Sequence, residues 1–184
     1  MKKLFTLLIA GLVSVSLFSE EITFEKNKGK HGIQLIEQST DHVTINFSIE
    51  RMDISSILIN GEEMDQIALP GIFLPGDEGA PNLPGTGRYV AIPQGSTAEL
   101  EILDFETQVF TGVRVAPSPR IPWDTETGPL QYQKNEEIYG RNALYPAEPF
   151  RLSEQTLLRG VDVVMFGVTP FQYNPATEEL IVYT

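Results

Sequence analysis

The sequence contains no cysteine, which excludes disulfide bonds, zinc–thiolate sites and a cysteine nucleophile within this chain. Basic residues are also scarce: 13 lysines and arginines stand against 25 acidic residues, for a formal net charge of -12. Nucleic-acid binding depends on clustered lysines and arginines that neutralise phosphates. Nucleic acid is therefore not expected as a partner.

Residues suited to catalysis or to metal binding are few and scattered. The two histidines, His31 and His42, flank a predicted strand, and we interpret them as turn or edge residues rather than as a metal site or a triad. Acidic pairs near predicted turns lack the ligand rhythm of a calcium loop, and we interpret them as solvated surface charge. No glycine-rich phosphate loop occurs in a strand-to-helix context. We predict no catalytic residue, metal site or cofactor, and an enzyme using carboxylates is disfavoured.

The first 19 residues have the pattern of a secretory signal peptide. Lys2 and Lys3 precede a short apolar run, small polar residues follow it, and acidic residues begin at Glu20. This run is too short and wrongly flanked for a convincing membrane span. We predict a signal peptide over residues 1–19, a mature domain over residues 20–184, and no other membrane span. An uncleaved N-terminal anchor or a buried helix is the alternative.

Short β-strands separated by turn residues account for most of the remaining sequence. Residues 43–49 alternate between apolar and polar side chains, which is typical of a strand with one buried face. Asn60-Gly61 predicts a tight hairpin with a return strand over residues 62–67. Further strands are expected in the ranges 33–37, 89–92, 98–102, 105–109, 113–115, 150–152, 157–169, 171–173 and 180–183. The phase change between 98–102 and 105–109 predicts a bulge or break near residues 103–104.

Residues 116–130 have no periodicity, four prolines and the only tryptophan of the sequence. They predict a long loop, and loops of that length tend to be binding elements or mobile segments. Trp123 within it is either an exposed anchor for a partner or a lid on the domain's own core. One short helix is expected near residues 134–139. The sum is an all-β, antiparallel, β-sandwich-like domain with one short helix and a long proline-rich loop.

The proline-rich stretch at 79–93 predicts a rigid crossing that delivers a strand into a sheet. Its motif, Gly-x-Pro-x-Leu-Pro followed by an apolar segment ending in Ile-Pro, is one of four that resemble the N-terminal propeptides of the gingipain (C25) family of secreted cysteine peptidases. The others are Val-Arg-Val-Ala-Pro-Ser at 113–118, Ile-Tyr-Gly at 138–140 with Ala-Leu-Tyr-Pro-Ala-Glu-Pro-Phe at 143–150, and Leu-Arg-Gly-Val-Asp-Val-Val at 158–164 with Pro-x-Gln-Tyr-Asn-Pro-x-Thr-x-x-Leu-x-x-Tyr at 170–183. The resemblance covers residues 34–184.

The resemblance implies a secreted, non-catalytic prodomain that assists folding of a cysteine endopeptidase and covers its active-site cleft in cis. In that family a loop after the Ala-Pro-Ser strand offers a basic side chain to the specificity pocket. The same place here is residues 119–128, where Arg120 is the only basic residue, so Arg120 is the expected inhibitory contact, with Trp123 beside it. A solvated loop arginine is the alternative interpretation of Arg120.

A rival of another class is a stand-alone extracellular β-sandwich module for binding or adhesion, without a peptidase. The sequence reaches Thr184 inside a predicted strand with no polar tail after it, and a strand without a partner or exit indicates a domain truncated at its C-terminal end. The two functions differ in what the reading frame encodes after Thr184. If the chain is a prodomain, we expect the frame after Thr184 to encode a domain with a catalytic histidine and cysteine.

Overall fold

The computed structural model describes residues 19–72 and 76–184, and these residues form twelve strands, one short α-helix and a 3-10 turn at Glu25–Asn27. The prediction of an all-β fold with antiparallel sheets and a short helix is confirmed. The strands are β1 (Ser19–Thr23), β2 (Gly32–Gln38), β3 (Val43–Ser48), β4 (Arg51–Ile59), β5 (Glu62–Ala68), β6 (Thr86–Ala91), β7 (Thr107–Thr111), β8 (Phe150–Leu152), β9 (Thr156–Leu158), β10 (Val161–Val168), β11 (Phe171–Asn174) and β12 (Glu179–Tyr183), and the helix is α1 (Glu136–Tyr139).

The core lies between two three-stranded antiparallel sheets, with strand orders β1-β4-β5 and β11-β12-β7. Met52 and Ile67 from the first sheet pack in one cluster with Phe171, Leu180 and Val182 from the second. Four of these five side chains have no exposed surface, and Ile67 is only 3% exposed. This arrangement is the sandwich that the alternating apolar residues predict.

A four-stranded sheet and a separate hairpin complete the fold. In the larger sheet β10 pairs with β6 on one side and with β8 and β9 on the other, and β2 pairs only with β3. Tyr183 joins this sheet to the sandwich, because its ring lies 5.2 Å from that of Phe150 on β8 and 5.6 Å from that of Phe105. The Asn60-Gly61 hairpin is confirmed, with positive φ at both residues.

Two predicted strands are not formed. Residues 98–102 are not a strand, because within the described residues no neighbouring strand pairs with their backbone. Residues 113–115 form only an isolated parallel bridge, in which Val115 lies opposite Asp65 of β5. Periodicity showed which side chains alternate, whereas pairing depends on which strands the tertiary fold brings alongside.

The structure also changes the interpretation of both chain ends. Strand β1 was not predicted, and its first residue, Ser19, is the last residue of the predicted signal peptide; residues 1–18 lie outside the described residues. The expectation that the last strand lacks a partner is wrong, because β12 pairs with β11 on one edge and β7 on the other. None of the helices formed by the described residues has the length and apolar character needed to cross a bilayer.

The proline-rich stretch leads into β6, as the sequence predicts, and part of it is buried. Within it Ala80, Pro81 and Leu83 are buried. Gly79 donates its N–H to the carbonyl of Ser118 over 3.0 Å and accepts the N–H of Asn135 over 2.8 Å. The crossing therefore holds two chain segments that are 17 positions apart, one on each side of residues 119–134.

Gly79 is required here for both its backbone conformation and its size. Its φ is +78°, and a Cβ would lie 2.8 Å from the carbonyl oxygen of Gln133. Gly95 has a similar φ of +74° but no atom within 4 Å of its Cβ position, so it is a matched control. We expect Gly95→Ala to lower the free energy of unfolding by about 1–2 kcal/mol from the left-handed φ alone. Gly79→Ala should cost clearly more in urea unfolding followed by circular dichroism. Equal losses for the two variants would contradict the close contact of Gly79 with Gln133.

Candidate interaction loop

Ser118 and Asn135 are the two residues that Gly79 contacts. The chain between them contains the Arg120 loop, defined as residues 119–131. The first three residues of the predicted 116–130 loop, Ala116, Pro117 and Ser118, are buried and belong to the core. The amide of Ser118 donates to the carbonyl of Ala80 over 2.7 Å, and its hydroxyl donates to the Asn82 side chain over 3.1 Å. The loop thus begins at a fixed point on the core.

The exit of the loop is held by the β4–β5 hairpin. The carbonyl of Tyr132 accepts a hydrogen bond of 3.3 Å from the Asn60 side chain at the hairpin turn. Tyr132 also packs on a small cluster with Ile59, Met64 and Ala116. In addition, Lys134 forms a 2.6 Å ion pair with Glu62. Both ends of the loop are therefore anchored within one small region.

The Arg120 loop is closed on itself rather than splayed. The amide of Arg120 donates to the carbonyl of Gln131 over 3.0 Å, which forms an antiparallel bridge across its base. Nearer the tip, the amide of Glu126 donates to the carbonyl of Trp123 over 2.8 Å and makes a tight turn. These two main-chain hydrogen bonds, one at the base of the loop and one near its tip, reduce the number of conformations the loop can adopt.

One carboxylate oxygen ties the base of the loop to its tip. Oε2 of Glu126 lies 2.6 Å from Nη2 of Arg120 and accepts the amide of Trp123 over 3.2 Å. Its hydrogen bond with Arg120 lowers the pKa of Glu126 below the ordinary value. The pair is therefore formed at neutral pH and is lost as the pH falls through that lowered pKa. The predicted inhibitory arginine has an internal partner.

Apolar side chains near the loop are presented to solvent. Trp123 is 74% exposed, so the interpretation of Trp123 as a lid on the domain's own core is wrong. Ile121 is 67% exposed, and Leu58 on the neighbouring hairpin is 72% exposed. Between the loop and the end of β4 lies an open groove of about 840 Å³, lined by Leu58, Arg120 and Leu130 among others. Large apolar side chains grouped in this way are typical of interaction sites.

The histidines are not arranged for catalysis. Ser39 Oγ and Asp41 Oδ1 both approach the same nitrogen of His42, Nδ1, at 2.7 and 3.2 Å, in an exposed turn. On the other ring nitrogen, Nε2, the nearest carboxylate is that of Glu37 at 3.6 Å, which is too far for a hydrogen bond, and the Ser39 hydroxyl also donates to Asp41 Oδ1 over 2.6 Å. A proton relay needs a carboxylate hydrogen-bonded to one ring nitrogen and a serine that gives its proton to the other. His31 is a structural residue, since its Nε2 lies 3.0 Å from the carbonyl oxygen of Pro70 and its Nδ1 accepts the amide of Glu50.

The acidic pairs do not converge either. Among the described residues, no group of three or more histidine or acidic side chains is placed to hold a metal ion. Glu62 is paired with Lys134, Glu63 accepts the hydroxyl of Ser56 over 2.7 Å, and Asp65 accepts the amide of Arg114 over 2.7 Å. These carboxylates support the hairpin and the strands around it.

Comparison with known proteins gives the family. The sequence profile of the family Propeptide_C25 matches residues 24–184. The chain belongs to the Propeptide_C25 family. This is the propeptide family of the gingipain cysteine peptidases, and this C25 propeptide contains no cysteine.

Curated relatives of this C25 propeptide are much longer proteins. Lys-gingipain of Porphyromonas gingivalis strain ATCC 33277 is 23% identical over 190 residues, which cover 99% of this chain and 11% of that protein. Gingipain R1 of P. gingivalis is 24% identical over 182 residues, covering 96% of this chain and 18% of that protein. The chain thus spans less than a fifth of either relative.

Two solved structures share the fold. A complex of the pro- and mature domains of RgpB from P. gingivalis superposes with a TM-score of 0.76 at 21% identity, over 83% of this chain and 80% of that one. A structure addressing zymogenic latency of gingipain K from the same organism gives 0.72 at 19% identity, over 90% and 93%. These similarities establish the β-sandwich-like fold of the C25 propeptide.

Sequence reasoning placed Arg120 and Trp123 in one loop but missed what holds them. Glu126 was not singled out, although an acid six positions after the loop's only basic residue is a detectable signal. The hairpin turn at Asn60 and the rigid crossing at 79–93 were predicted as local features, without their contacts to the loop. Those contacts are made over 72 residues for Asn60–Tyr132 and could not be read from spacing.

Loss of the Glu126 charge should release the guanidinium of Arg120 while keeping the turn. Glutamine at 126 can still accept the Trp123 amide but cannot form the ion pair. We expect trypsin to cut Glu126→Gln after Arg120 roughly two- to fivefold faster than the parent chain, in line with the small free energies of exposed ion pairs. Mass spectrometry of the fragments measures this rate. Cleavage after Arg159, in the exposed turn before β10, is the internal reference, and equal acceleration at both sites would contradict a local effect.

Proposed function

We propose that the chain is the N-terminal prodomain of a secreted gingipain-like cysteine endopeptidase, and that it holds the peptidase inactive and assists its folding. The observation that carries the proposal is the match of the propeptide family over residues 24–184. The anchored, closed Arg120 loop supports it, because an inhibitory segment must resist rearrangement within a cleft. A rigid segment also loses little conformational entropy on binding.

The proposed mechanism is occlusion of the active-site cleft by the Arg120 loop. Arg120 enters an acidic specificity pocket, and a carboxylate of that pocket replaces Glu126 as its partner. This exchange is physically accessible, since the Arg120 side chain is 32% exposed and its present partner is 40% exposed. The guanidinium would make bidentate, charge-assisted hydrogen bonds in the pocket. Trp123 supplies an apolar contact beside it.

The rest of the proposal concerns the precursor. Residues 1–19 direct export as a signal peptide, and residues 20–184 belong to the prodomain, which extends beyond Thr184. The peptidase acts as partner in cis, and the site of action is outside the cell or at its surface. The length of the curated relatives supports a longer precursor. Sequencing the reading frame after Thr184 tests this directly: a frame without a peptidase domain would rule out a prodomain acting in cis.

Truncation of Arg120 should weaken inhibition strongly. The assay mixes the chain with the peptidase domain of its own precursor and measures the inhibition constant with a chromogenic peptide. Removing one partner of a buried charge pair costs roughly 2–5 kcal/mol, so Arg120→Ala should raise the inhibition constant by about 30-fold or more. Arg159→Ala, which removes an exposed turn arginine, is the matched control. Unchanged inhibition by Arg120→Ala would refute the pocket contact but not the prodomain assignment.

Trp123 should contribute less than Arg120 to inhibition, and its contribution can be measured separately. Aromatic anchors at interfaces typically cost more than about 1 kcal/mol when truncated. We therefore expect Trp123→Ala to raise the inhibition constant about fivefold or more, with Tyr89→Ala, an exposed aromatic on β6, as control. The fluorescence of Trp123, the only tryptophan, should also shift to shorter wavelength on complex formation if the side chain leaves water. If neither the inhibition constant nor the fluorescence changes, Trp123 lies outside the interface.

A further inference from the structure

Residues 97–106, the 97–106 segment, combine an alternating sequence with an unpaired backbone. Ala98, Leu100 and Ile102 alternate with Glu99 and Glu101, the pattern of a strand, yet the segment forms no strand in the described part of the chain. Four large apolar side chains in it are exposed, at 39% for Leu100, 52% for Ile102, 73% for Leu103 and 60% for Phe105. Such a run of exposed apolar residues is unusual on a monomer and marks a contact surface.

The segment is the direct continuation of strand β7 at its N-terminal end. In the antiparallel ladder of β7 and β12, Tyr183 lies opposite Thr107. The next pair keeps this register, because the amide of Thr184 donates to the carbonyl of Glu106 over 3.0 Å. A strand that continued β12 in the same direction would therefore lie opposite Phe105, Asp104 and then Leu103.

The side chains at this point are already in a strand arrangement. The rings of Phe105 and Tyr183 lie 5.6 Å apart, as diagonal neighbours on one face of a sheet do. This arrangement ends before Phe105 in the sequence. There the amide of Phe105 donates to the side chain of Asp104 over 2.8 Å. The ladder thus stops where no further partner strand is present among the described residues.

A groove runs alongside the segment. Its volume is about 410 Å³; Leu100 and Ile102 lie on one wall, and residues 147–152, which include β8, lie on the other. Tyr183 lies close to the groove, since its ring contacts Phe150, one of the lining residues, as well as Phe105. The groove therefore lies near the end of β12, between an unpaired segment and the strand at the edge of the four-stranded sheet.

The charge of the segment restricts what can lie on it. Residues 97–106 carry Glu99, Glu101, Asp104 and Glu106, and no lysine or arginine occurs between Arg88 and Arg114. Glu106 is already paired with Lys26 at 3.0 Å. Because like charges directly opposite one another destabilise a ladder, the complementary segment should be apolar and basic.

We propose that the residues directly following Thr184 in the precursor extend β12, pair antiparallel with the 97–106 segment and fill the groove against β8. The curated relatives, of which this chain spans 11% and 18%, continue far beyond the matched region, so a segment in that position is available in proteins of this kind. The extension would cover Leu100, Ile102 and Phe105 and would use the backbone groups that an open edge leaves unpaired. This inference depends on a longer precursor but not on peptidase inhibition.

Hydrogen exchange measured by mass spectrometry tests the pairing. The chain ending at Thr184 is compared with the same chain extended by the next ten or so residues of its own precursor, about the upper length of a common strand. Amides of the 97–106 segment should exchange about tenfold more slowly, or slower still, in the extended chain, because ladder pairing adds a local opening step. Amides at 121–130 in the Arg120 loop should not change.

A pair of variants gives the second measurement. Ile102→Glu in the extended chain should abolish the added protection, whereas Leu157→Glu, at a 66% exposed position on β9, should leave it intact. Circular dichroism shows whether each variant retains the parent fold, and the comparison of the unmutated chains does not depend on them.

Four outcomes would overturn the proposal. They are unchanged exchange at 97–106 on extension, protection that rises with concentration of the chain ending at Thr184 and so indicates a second copy, protection that appears only with the whole peptidase domain, and a reading frame that ends at Thr184.

Discussion

The base of the Arg120 loop depends on the two backbone hydrogen bonds that Gly79 makes to Ser118 and Asn135. Residues before and after the loop meet the same glycine because the buried crossing at 79–84 runs between them. Proline within this crossing fixes its φ, so the clamp is made by a segment that has little conformational freedom of its own. The rigidity of the site is therefore built from backbone contacts beneath the loop and not from the loop sequence.

The loop combines this rigid base with a weak internal tie. Exposed ion pairs contribute little to stability, so the Arg120–Glu126 pair can hold the guanidinium in place without making its release costly. The turn at Trp123–Glu126 keeps the tip formed after such a release, because its main-chain bond does not involve Arg120. In the proposed occlusion mechanism, the side chain that changes partner and the backbone that stays in place are thus separate parts of the loop. An inhibitory segment needs both properties: a recognisable side chain and a backbone that does not adapt to the enzyme.

Sequence reasoning succeeded where local chemistry decides the structure. Asn60-Gly61 forms the predicted hairpin because few other residues tolerate two positive φ angles. It failed where the partner is distant: 98–102 has a strand pattern and no strand to pair with, and β1 pairs with β4 across about thirty residues of sequence. The loop could be located from its prolines, whereas the internal partner of Arg120 required knowing how the chain turns back at 123–126.

The positions of the two proposed contact regions constrain how a peptidase would be attached. Asn60, at one end of β4, contacts the exit of the Arg120 loop, while the 97–106 segment lies near the other end, where Glu106 pairs with Lys26 and Phe24 bonds to Glu50. Strand β4 has nine residues, so the two regions are separated by about 30 Å along it. A domain of about 200 residues has a radius of gyration near 16 Å and a diameter of about 40 Å. One compact domain following Thr184 is therefore large enough to reach the loop from the far end of the sandwich. If the segment after Thr184 is pinned in the groove, that domain begins from a fixed point, which restricts the orientations in which its cleft can meet Arg120.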